Sequence, residues 1–299
     1  MENATHPISG WIILDKPSGL FSRTAGARVG RILGIKKFGH IGTLDEMASG
    51  VLPIAFGNAT KMIPFIENLP GADVKEYLFS MRFGFETNTL DTFGQIVSQN
   101  AIVPDTDAVR AAMMKLRGEI MQTPPAFSAV HIDGRRAYDL ARHGDTPDIP
   151  PRRVVIHSLE FTGVCGPSWH FKVVCSRGTY VRALARDIAH MCGTIATVDM
   201  IRRTKTGPFQ MENAKKLDFL ENLDNNGADI SQYLMPTDFG LADIPVAKLS
   251  HAVATGFCQG ATVQNQTALP DGLVRVYDGD SFIGMGTVHG ERIMPKRII

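Results

Sequence analysis

The sequence predicts an α+β protein that carries a small β module at its C-terminal end. Apolar runs typical of buried strands occur at 11–14, 51–56 and 77–83. Residues 105–118 instead repeat their apolar positions at helical spacing. From about residue 245 onward, short strand-like runs alternate with glycine turns. We therefore expect a larger mixed domain followed by a module with its own pattern.

Proline and glycine separate the N-terminal elements. The first strand ends at the turn DKPSG (15–19), and Ser22 occupies the N-cap position of a helix that reaches about Ile32. The next elements are a strand at 51–56 and a short helix at 58–67. This order predicts that a strand, a helix and a second strand form the start of the larger domain.

The middle of the chain contains a basic segment with little core-forming sequence. A polar loop at 86–91 and the helix at 105–118 come after the strand at 77–83. Residues 123–153 then combine turns, positive charge and a proline-rich end. We expect this segment to project from the body of the protein as an insertion.

Paired strands and a further helix complete the larger domain. The strands are predicted at 153–161 and 170–176, and the segment SRGTYVR (176–182) opens the helix. A third strand is predicted at 198–204. The acidic, asparagine-rich stretch 218–229 is expected to be the least ordered part.

An Asp-Gly hairpin marks the C-terminal module. Two strand-like runs, at 273–277 and 282–286, flank the tripeptide DGD at 278–280. Asp-Gly favours the tight turns that join antiparallel strands. Residues 245–299 are therefore predicted to form a small all-β module.

The net charge of +1 conceals an uneven charge distribution. Acidic residues collect around 212–243, whereas basic residues gather in other segments. A folded surface can then present a basic face to a polyanion, although each cluster taken alone favours a solvated face. The basic clusters comprise Arg23, Arg28, Arg31, Lys36, Lys37, Arg135, Arg136, Arg142, Arg152, Arg153, Arg202, Arg203, Lys205, Arg292, Lys296 and Arg297.

Several classes of protein are disfavoured by the sequence. The apolar runs are too short and too interrupted to span a bilayer, and we expect no secretory signal at the N-terminus. The four cysteines are scattered without a CxxC pair, which argues against a zinc site and favours free thiols in a reducing compartment. The sequence also lacks a dinucleotide-binding fingerprint and a P-loop.

The segment GHIGTLD (39–45) is the strongest candidate for a functional loop. Its two glycines permit sharp turns and close approach of another backbone or a ligand. Asp45 follows them, directly before the strand at 51–56. Taken alone, the pattern fits an aspartate that caps a turn as well as one held for chemistry.

Motifs along nearly the whole chain resemble those of the TruB family of tRNA pseudouridine synthases. Each motif alone is weak, but together and in this order they are specific. They are LDKPSG (14–19), GHIGTLD (39–45), KEY (75–77), SRGTYVR (176–182), RRT (202–204), GLVRV (272–276) and FIGMG (282–286).

The chain departs from the family pattern at a few positions. Ile41 replaces a threonine, Glu46 replaces a proline, and Ser49 stands where threonine is usual. Phe21 occupies the place of a threonine or serine, and Ile201 that of a leucine. Glu46 matters most, because a second carboxylate pointing at an aspartate would disfavour its ionised form. We expect Glu46 to face outward or toward a basic residue.

The resemblance implies a fold and a domain organisation. The fold is that of pseudouridine synthases, a central mixed, mainly antiparallel sheet flanked by helices. The catalytic domain would comprise 1–244 and include the basic insertion at about 123–153, which grips the RNA. Residues 245–299 would form a PUA-like RNA-binding module.

The resemblance also implies a reaction, the isomerisation of uridine to pseudouridine at position 55 in the T-arm loop of tRNA. The glycosidic N–C bond breaks, the uracil rotates and a C–C bond forms, without a cofactor or a metal. Asp45 would be the catalytic carboxylate, acting either as nucleophile or as base. Arg182 would keep Asp45 ionised through charge-assisted hydrogen bonds.

The remaining site residues follow from the same resemblance. Tyr77 would stack on the flipped base, Ile201 would pack against it, and Tyr180 would pack near the base or near Asp45. His40 would fill the space that the flipped nucleotide leaves. Lys16 would shape the pocket.

RNA contacts are expected from basic residues on the insertion and on the strand at 198–204. We expect a monomer in the cytoplasm that binds the T-arm of tRNA mostly through phosphates and shape. The expected RNA-binding residues are Arg135, Arg136, Arg142, Arg152, Arg153, Arg202 and Arg203.

Two other functions remain compatible with the sequence. One is a non-catalytic tRNA-binding or tRNA-folding protein on the same scaffold. The other is a guide-RNA-dependent pseudouridine synthase of the dyskerin-like branch. The pair of Asp45 and Arg182 favours an enzyme, and the basic insertion with a compact C-terminus favours the stand-alone branch.

Overall fold

A computed structural model describes residues 8–132, 134–142 and 148–299, without the side chains at 136, 141 and 142. The predicted insertion is therefore described in part. The strands of the described residues are β1 (Gly10–Lys16), β2 (Phe38–His40), β3 (Ser49–Phe56), β4 (Lys75–Phe83), β5 (Phe85–Thr87), β6 (Ile96–Gln99), β7 (Gly118–Gln122), β8 (His131–Ile132), β9 (Arg135–Arg136), β10 (Arg152–Cys165), β11 (Ser168–Cys175), β12 (Ala196–Thr206), β13 (Phe209–Gln210), β14 (Lys215–Lys216), β15 (Val246–Leu249), β16 (Val263–Gln264), β17 (Gly272–Asp278), β18 (Ser281–His289) and β19 (Arg292–Ile298).

Helices occupy the segments between these strands. Short 3₁₀ turns accompany them at Gly57–Met62, Met211–Asn213, Ile230–Tyr233 and Phe239–Leu241. The α-helices are α1 (Ser22–Ile32), α2 (Ile63–Glu67), α3 (Thr106–Lys115), α4 (Ala137–Arg142), α5 (Val181–Met191), α6 (Leu217–Asn225) and α7 (His251–Cys258).

The large sheet confirms the predicted mixed, mainly antiparallel architecture. Its strands follow the order β14-β1-β3-β12-β4-β11-β10-β7, with β13 paired to β12 and β2 paired to β3. The pairs β1–β14 and β3–β12 are parallel, and the other pairs are antiparallel. This order places β3, β12 and β4 side by side at the centre, so their residues meet at one site.

Both faces of the central strands are buried. Side chains alternate across a strand, and in β1 Ile12 and Leu14 join one apolar cluster whereas Trp11 and Ile13 join another. The first cluster packs the sheet against α1, α3, α5 and α6. The second lies on the opposite face and reaches into the C-terminal module through Met285. The central strands are therefore held from two sides.

The C-terminal module is a five-stranded sheet in the order β15-β17-β18-β19-β16. The predicted hairpin is confirmed, with Gly279 at φ +58° between β17 and β18. The module also contains α7, whose Phe257 is buried in the module's own core. The expectation of an all-β module was wrong in this respect.

Two local expectations differ from the structure. Ser22 does not cap α1, because Phe21 takes the N-cap position and the Ser22 hydroxyl binds the backbone of Leu44 instead. The segment predicted to be poorly ordered forms α6, which buries Leu217 and Leu220 against the main core. Its acidic residues lie on the outer face, and because of them the helical spacing of the apolar residues was not apparent in the sequence.

Three further findings concern the cysteines, the helices and the metal-ligating side chains of the described residues. The cysteines are free, as predicted. No helix in the described ranges is long and apolar enough to cross a membrane. Within the same ranges, His, Cys, Asp and Glu side chains nowhere gather in threes at metal-binding distance.

Candidate active site

The loop between β2 and β3 carries Asp45 and is tied to its surroundings by backbone contacts. Gly42 adopts φ +68°, a conformation that favours glycine. The Ser22 hydroxyl donates to the Leu44 carbonyl and accepts from the Leu44 N–H, both at 2.9 Å. The Ala48 N–H donates to the Asp45 carbonyl at 3.2 Å. Helix α1 and the loop therefore fix the position of the Asp45 backbone.

Arg203 lies beneath this loop and is completely buried. Its Nη2 donates to the Gly42 carbonyl at 2.6 Å and its Nε to the Val51 carbonyl at 2.9 Å. A Cβ on Gly50 would lie 2.2 Å from the Arg203 carbonyl, so β3 and β12 approach too closely for a side chain there. Arg203 thus joins the two ends of the loop. The prediction that it contacts RNA was wrong, because it has no exposed surface.

Asp45 forms an ion pair with Arg182, the second residue of α5. Arg182 Nε and Nη2 both lie 2.8 Å from Asp45 Oδ2. The other Arg182 hydrogen bonds go to the carbonyls of Thr89, at 2.7 Å, and Phe127, at 3.0 Å. Arg182 is buried, whereas the Asp45 side chain is 42% exposed. Asp45 Oδ1 receives no hydrogen bond from the described residues and is the oxygen available to react.

Asp91 is a second carboxylate on the same guanidinium, and it was not among the residues predicted from the sequence. Its Oδ2 lies 3.5 Å from Arg182 Nη1, and its side chain is buried. Asp91 Oδ1 accepts from the Thr89 hydroxyl at 2.7 Å and from the Phe93 N–H at 3.0 Å. Asp91 therefore holds both Arg182 and the loop that contributes the Thr89 carbonyl. The polar loop at 86–91 was the available signal, but its burial was not predictable from one sequence.

A cavity of about 190 Å³ opens beside Asp45 and brings most of the predicted site residues together. Tyr77 on β4 and Ile201 on β12 are buried side chains in its wall. Burial raises the pKa of Tyr77 to about 12, so its phenol stays neutral. The lining comprises Thr43, Leu44, Asp45, Ala48, Lys75, Tyr77, Ala129, Gly178, Thr179, Tyr180, Val181 and Ile201.

Tyr180 lies in the same wall and is fixed by Gln122, which is buried at the end of β7. The Gln122 amide oxygen accepts from the Tyr180 N–H at 2.8 Å, and its amide nitrogen donates to the Tyr180 carbonyl at 3.3 Å. Burial also raises the pKa of Tyr180. Gln122 therefore sets the start of α5 and, with it, the position of Arg182.

Lys16 supports the loop from the end of β1. Its buried ammonium donates to the carbonyls of Leu20, Pro17 and Glu46 at 2.5, 2.8 and 3.3 Å. Burial lowers the pKa of Lys16 to about 8, although the nearby charge of Asp45 opposes this shift. Every contact goes to a backbone carbonyl, so Lys16 supports the loop.

Lys75 lies in the wall of the cavity and was not among the predicted site residues. Its ammonium makes no hydrogen bond or ion pair with the described residues. Burial, followed by the charge of Arg203, lowers the pKa of Lys75 to about 8. The KEY motif contained the signal, because Lys75 and Tyr77 point to the same side of one strand.

His40 ends β2 at the rim of the loop. Its Nε2 lies 3.1 Å from the Thr43 hydroxyl, and its side chain is half-buried. Burial, together with the charges of Arg203 and Arg23, lowers the pKa of His40. The imidazole is therefore neutral at neutral pH. It does not line the cavity that contains Tyr77 and Ile201.

Glu46 lies on the side of a basic residue, one of the two orientations expected for it, because burial lowers the pKa of Lys16 and the charges of Asp45 and Glu46 oppose that shift. It is half-buried in the wall of a second cavity, which adjoins Asp45. Its carboxylate makes no hydrogen bond or ion pair with the described residues. The Glu46 charge therefore acts on the Lys16 ammonium at the edge of the loop that carries Asp45.

The other predicted RNA contacts lie in different environments. Arg135, Arg152 and Arg153 are exposed, and Arg153 pairs with Glu119 on β7. Arg202 is partly exposed and lies 2.8 Å from an Asp15 carboxylate oxygen. The side chains of Arg136 and Arg142 lie outside the described residues.

Three family models match the chain in succession. The model described as "TruB family pseudouridylate synthase (N terminal domain)" matches residues 30–181. The model "tRNA pseudouridylate synthase B C-terminal domain" matches 182–242, and "Pseudouridine synthase II TruB, C-terminal" matches 245–299. The first match contains Asp45, and the second begins at Arg182.

Curated relatives are similar over nearly their full lengths. The tRNA pseudouridine synthase B of Gluconacetobacter diazotrophicus is 39% identical, with 98% of each chain covered. That of Burkholderia pseudomallei (strain 668) is 40% identical, with 99% of this chain and 98% of the relative covered. That of Novosphingobium aromaticivorans is 43% identical over 89% of each chain.

Solved structures share the fold at lower identity. The structure titled "Crystal Structure of a Cbf5-Nop10-Gar1 Complex" superposes with a TM-score of 0.67 at 24% identity and covers 97% of this chain and 84% of that one. "Structure of H/ACA RNP bound to a substrate RNA containing 2'-deoxyuridine" gives a TM-score of 0.66 at 22% identity and covers 99% of this chain and 92% of that one.

Proposed function

Because this chain belongs to the TruB family of pseudouridine synthases, we propose that it isomerises uridine to pseudouridine at position 55 in the T-arm loop of tRNA. Relatives named tRNA pseudouridine synthase B, at about 40% identity over nearly the whole chain, support the reaction and the RNA class. The observation that carries the proposal is the ion pair between Asp45 and Arg182 at a cavity walled by Tyr77 and Ile201.

Asp45 supplies the chemistry of the reaction. The target uridine flips into the cavity, and the glycosidic bond from N1 to C1′ breaks. The uracil rotates, its C5 bonds to C1′, and the hydrogen on C5 is lost as a proton. The free Oδ1 of Asp45 acts either on the sugar as a nucleophile or as the base that removes a sugar proton. Its ion pair with Arg182 suits both routes.

Arg182 keeps Asp45 ionised and oriented. A guanidinium that donates two hydrogen bonds to one carboxylate oxygen stabilises the charged form. Its remaining donors are occupied by Asp91 and by two backbone carbonyls. Arg182 therefore cannot turn toward the substrate, and its role is to position Asp45.

The cavity wall binds the flipped base. Tyr77 offers a neutral ring for stacking, and Ile201 and Tyr180 pack beside it. The ammonium of Lys75 lies free in the same wall and compensates the negative charge of a detached uracil. His40, at the rim, fills the space that the flipped nucleotide leaves in the RNA.

Exposed basic residues hold the rest of the tRNA. Arg135, Arg152, Arg153 and Arg202 contact phosphates, and the insertion at about 123–153 grips the arm. Residues 1–244 form the catalytic domain and 245–299 a PUA-like RNA-binding module. The enzyme acts in the cytoplasm as a monomer, without a metal or a cofactor.

Mapping of the product distinguishes this function from the two alternatives. Purified protein and its Asp45→Asn variant are incubated separately with unmodified tRNA transcript, and pseudouridine is mapped by sequence position. Pseudouridine in the T-arm loop from the wild type alone supports the proposal. Tight binding without product would indicate a tRNA-folding protein, and product only with added guide RNA would indicate the dyskerin-like branch.

A further inference from the structure

The segment that contains α1 and β2 is basic throughout. Residues 16–44 include six lysines and arginines and no aspartate or glutamate. Arg23, Arg31 and Lys36 are exposed and make no hydrogen bond or ion pair with the described residues. Cations that lie together without acidic neighbours in the chain attract a polyanion. This segment therefore suits a polyanionic partner.

A groove lies between α1 and the chain that leads into β2, and we call it the α1 groove. Its volume is about 440 Å³. Gly30 lets the two segments approach closely, because a Cβ there would lie 2.6 Å from the Ile35 carbonyl oxygen. Most of the wall is apolar, and Arg31 and Lys36 add two positive charges. The lining comprises Ala27, Gly30, Arg31, Gly34, Ile35, Lys36 and Phe38.

The α1 groove and the insertion lie toward different ends of the large sheet. Helix α1 contacts β2 and β3, whereas the insertion connects β7 to β10 at the far end. The cavity beside Asp45 has walls on β4 and β12, between these two positions. Arg23 lies close enough to the loop that carries Asp45 for its charge to lower the pKa of His40. The basic face of α1 thus begins at the rim of the active site and leads away from the insertion.

The spacing of the side chains on α1 suits an RNA strand. Arg23, Ala27 and Arg31 follow each other at intervals of four residues, so they share one face of the helix. The two arginines are about 12 Å apart along the helix axis. Arginine and lysine bind phosphates, and an apolar surface binds the face of an unpaired base. The α1 groove offers both kinds of contact side by side.

We propose that the α1 groove binds a part of the tRNA outside the T-arm, with an unpaired base in the groove and phosphates at Arg23, Arg31 and Lys36. The inference rests on the proposed function. In folded tRNA a second loop packs against the T-arm loop, so RNA is available on the side of the active site that faces away from the insertion. An acidic protein is the other possible occupant, but the continuity of the basic face with the active-site rim favours the RNA.

Affinities for two RNAs test the proposal. Kd is measured at several salt concentrations for full-length unmodified tRNA and for a stem-loop that contains the T-arm alone. In the double variant Arg31→Ala and Lys36→Ala, Kd for full-length tRNA should rise roughly 10-fold, and the slope of log Kd against log salt should fall by about 2, one for each lost phosphate contact. Kd for the stem-loop should stay the same, because the stem-loop does not reach the groove.

A second double variant controls for the general effect of charge. Arg110→Ala with Lys115→Ala removes one arginine and one lysine from exposed positions of α3. Helix α3 packs against α5 and β10, toward the other end of the sheet from α1. Both Kd values should therefore remain those of the wild type.

Filling the groove tests the bound base separately from the charges. Ala27 is exposed in the wall of the groove, so Ala27→Gln occupies the space without a change of charge. Kd for full-length tRNA should rise roughly 10-fold, the loss expected for one stacked base, while the stem-loop binds as before. Ala111→Gln, at an exposed position of α3, is the matched control and should bind both RNAs as the wild type does.

Two results would overturn the proposal. An unchanged Kd for full-length tRNA in Arg31→Ala with Lys36→Ala would leave the groove to an acidic protein. An equal rise of Kd for the stem-loop would place the contact within the T-arm. Pseudouridine formed from the stem-loop by the wild type leaves the proposed function intact in both cases, whereas absence of product from either RNA would overturn the proposed function instead.

Discussion

Arg182 is shared by two carboxylates that differ in exposure, so their substitutions should have different effects. The Asp45 side chain is 42% exposed and that of Asp91 only 7%. Asp45→Asn should abolish pseudouridine formation and change the free energy of unfolding by less than about 1 kcal/mol, as half-exposed ion pairs do. Urea denaturation and a product assay on the same preparation measure both. A large loss of stability in Asp45→Asn would contradict this account.

Asp91→Asn should instead reduce both activity and stability. The substitution keeps the shape of the side chain but removes a buried charge beside Arg182, a contact worth about 1.5–3 kcal/mol. If the same energy is lost from the transition state because Arg182 moves, we expect kcat to fall roughly 10- to 100-fold. Wild-type kcat in Asp91→Asn, with Arg182→Ala inactive, would show that Arg182 positions Asp45 without help from Asp91.

Lys75 should limit activity in alkaline solution. A lysine whose pKa is about 8 is an ammonium below that pH and a neutral amine above it. Activity should therefore fall as pH rises through about 8. In Lys75→Arg the guanidinium stays protonated, so the fall of activity above about pH 8 that is due to this residue should disappear. Lys75→Met has no charge at any pH and should be slow throughout. A pH profile of single-turnover rates compares the three proteins, and identical profiles would exclude a role for the ammonium.

At the scale of elements, the close contact between β3 and β12 supports the loop that carries Asp45. Gly50 has φ +106°, and an added Cβ would lie 2.2 Å from the Arg203 carbonyl. Gly71 has φ +74° with no neighbour within 4 Å of an added Cβ. Its replacement by alanine therefore tests the cost of backbone strain alone. Gly71→Ala should cost about 1–3 kcal/mol of unfolding free energy. Gly50→Ala should cost clearly more in urea denaturation, and equal losses would contradict the close packing of the strands.

Elements with a local signature were predictable from the sequence, whereas contacts between distant segments were not. The strand β1, the helix α5 and the DGD hairpin follow from periodicity and turn residues. The family resemblance led to Asp45, Arg182 and Tyr77. Gln122, Asp91 and the buried Arg203 depend on partners far along the chain, so no local pattern reveals them.

Arg203 shows this limit most clearly. Its position beside Arg202 suggested a basic patch on the surface. Side chains alternate across a strand, however, so the two arginines of β12 point to opposite faces. Arg202 reaches Asp15 near the surface, and Arg203 enters the core beneath the loop. The sequence contained the alternation, but it did not show which face is covered.

At the scale of the whole molecule, the C-terminal module is part of the structural core. Met285 packs in the same cluster as Trp11, and Arg275 Nη1 lies 2.8 Å from Asp238 Oδ2. Truncation after residue 244 should therefore lower the melting temperature of the remaining protein and weaken its activity. A truncated protein with unchanged melting temperature and reduced tRNA affinity would instead indicate a module that serves only to bind RNA.

Release of the hydrogen on C5 of uridine measures directly whether Asp45 isomerises a uridine. Unmodified tRNA carrying tritium at C5 of uridine is mixed with excess enzyme, and tritium in water is counted over time. The wild type should release the label of one uridine per tRNA, and Asp45→Asn should release none while it binds the tRNA. Release by Asp45→Asn at the wild-type rate, or none by the wild type, would contradict the account.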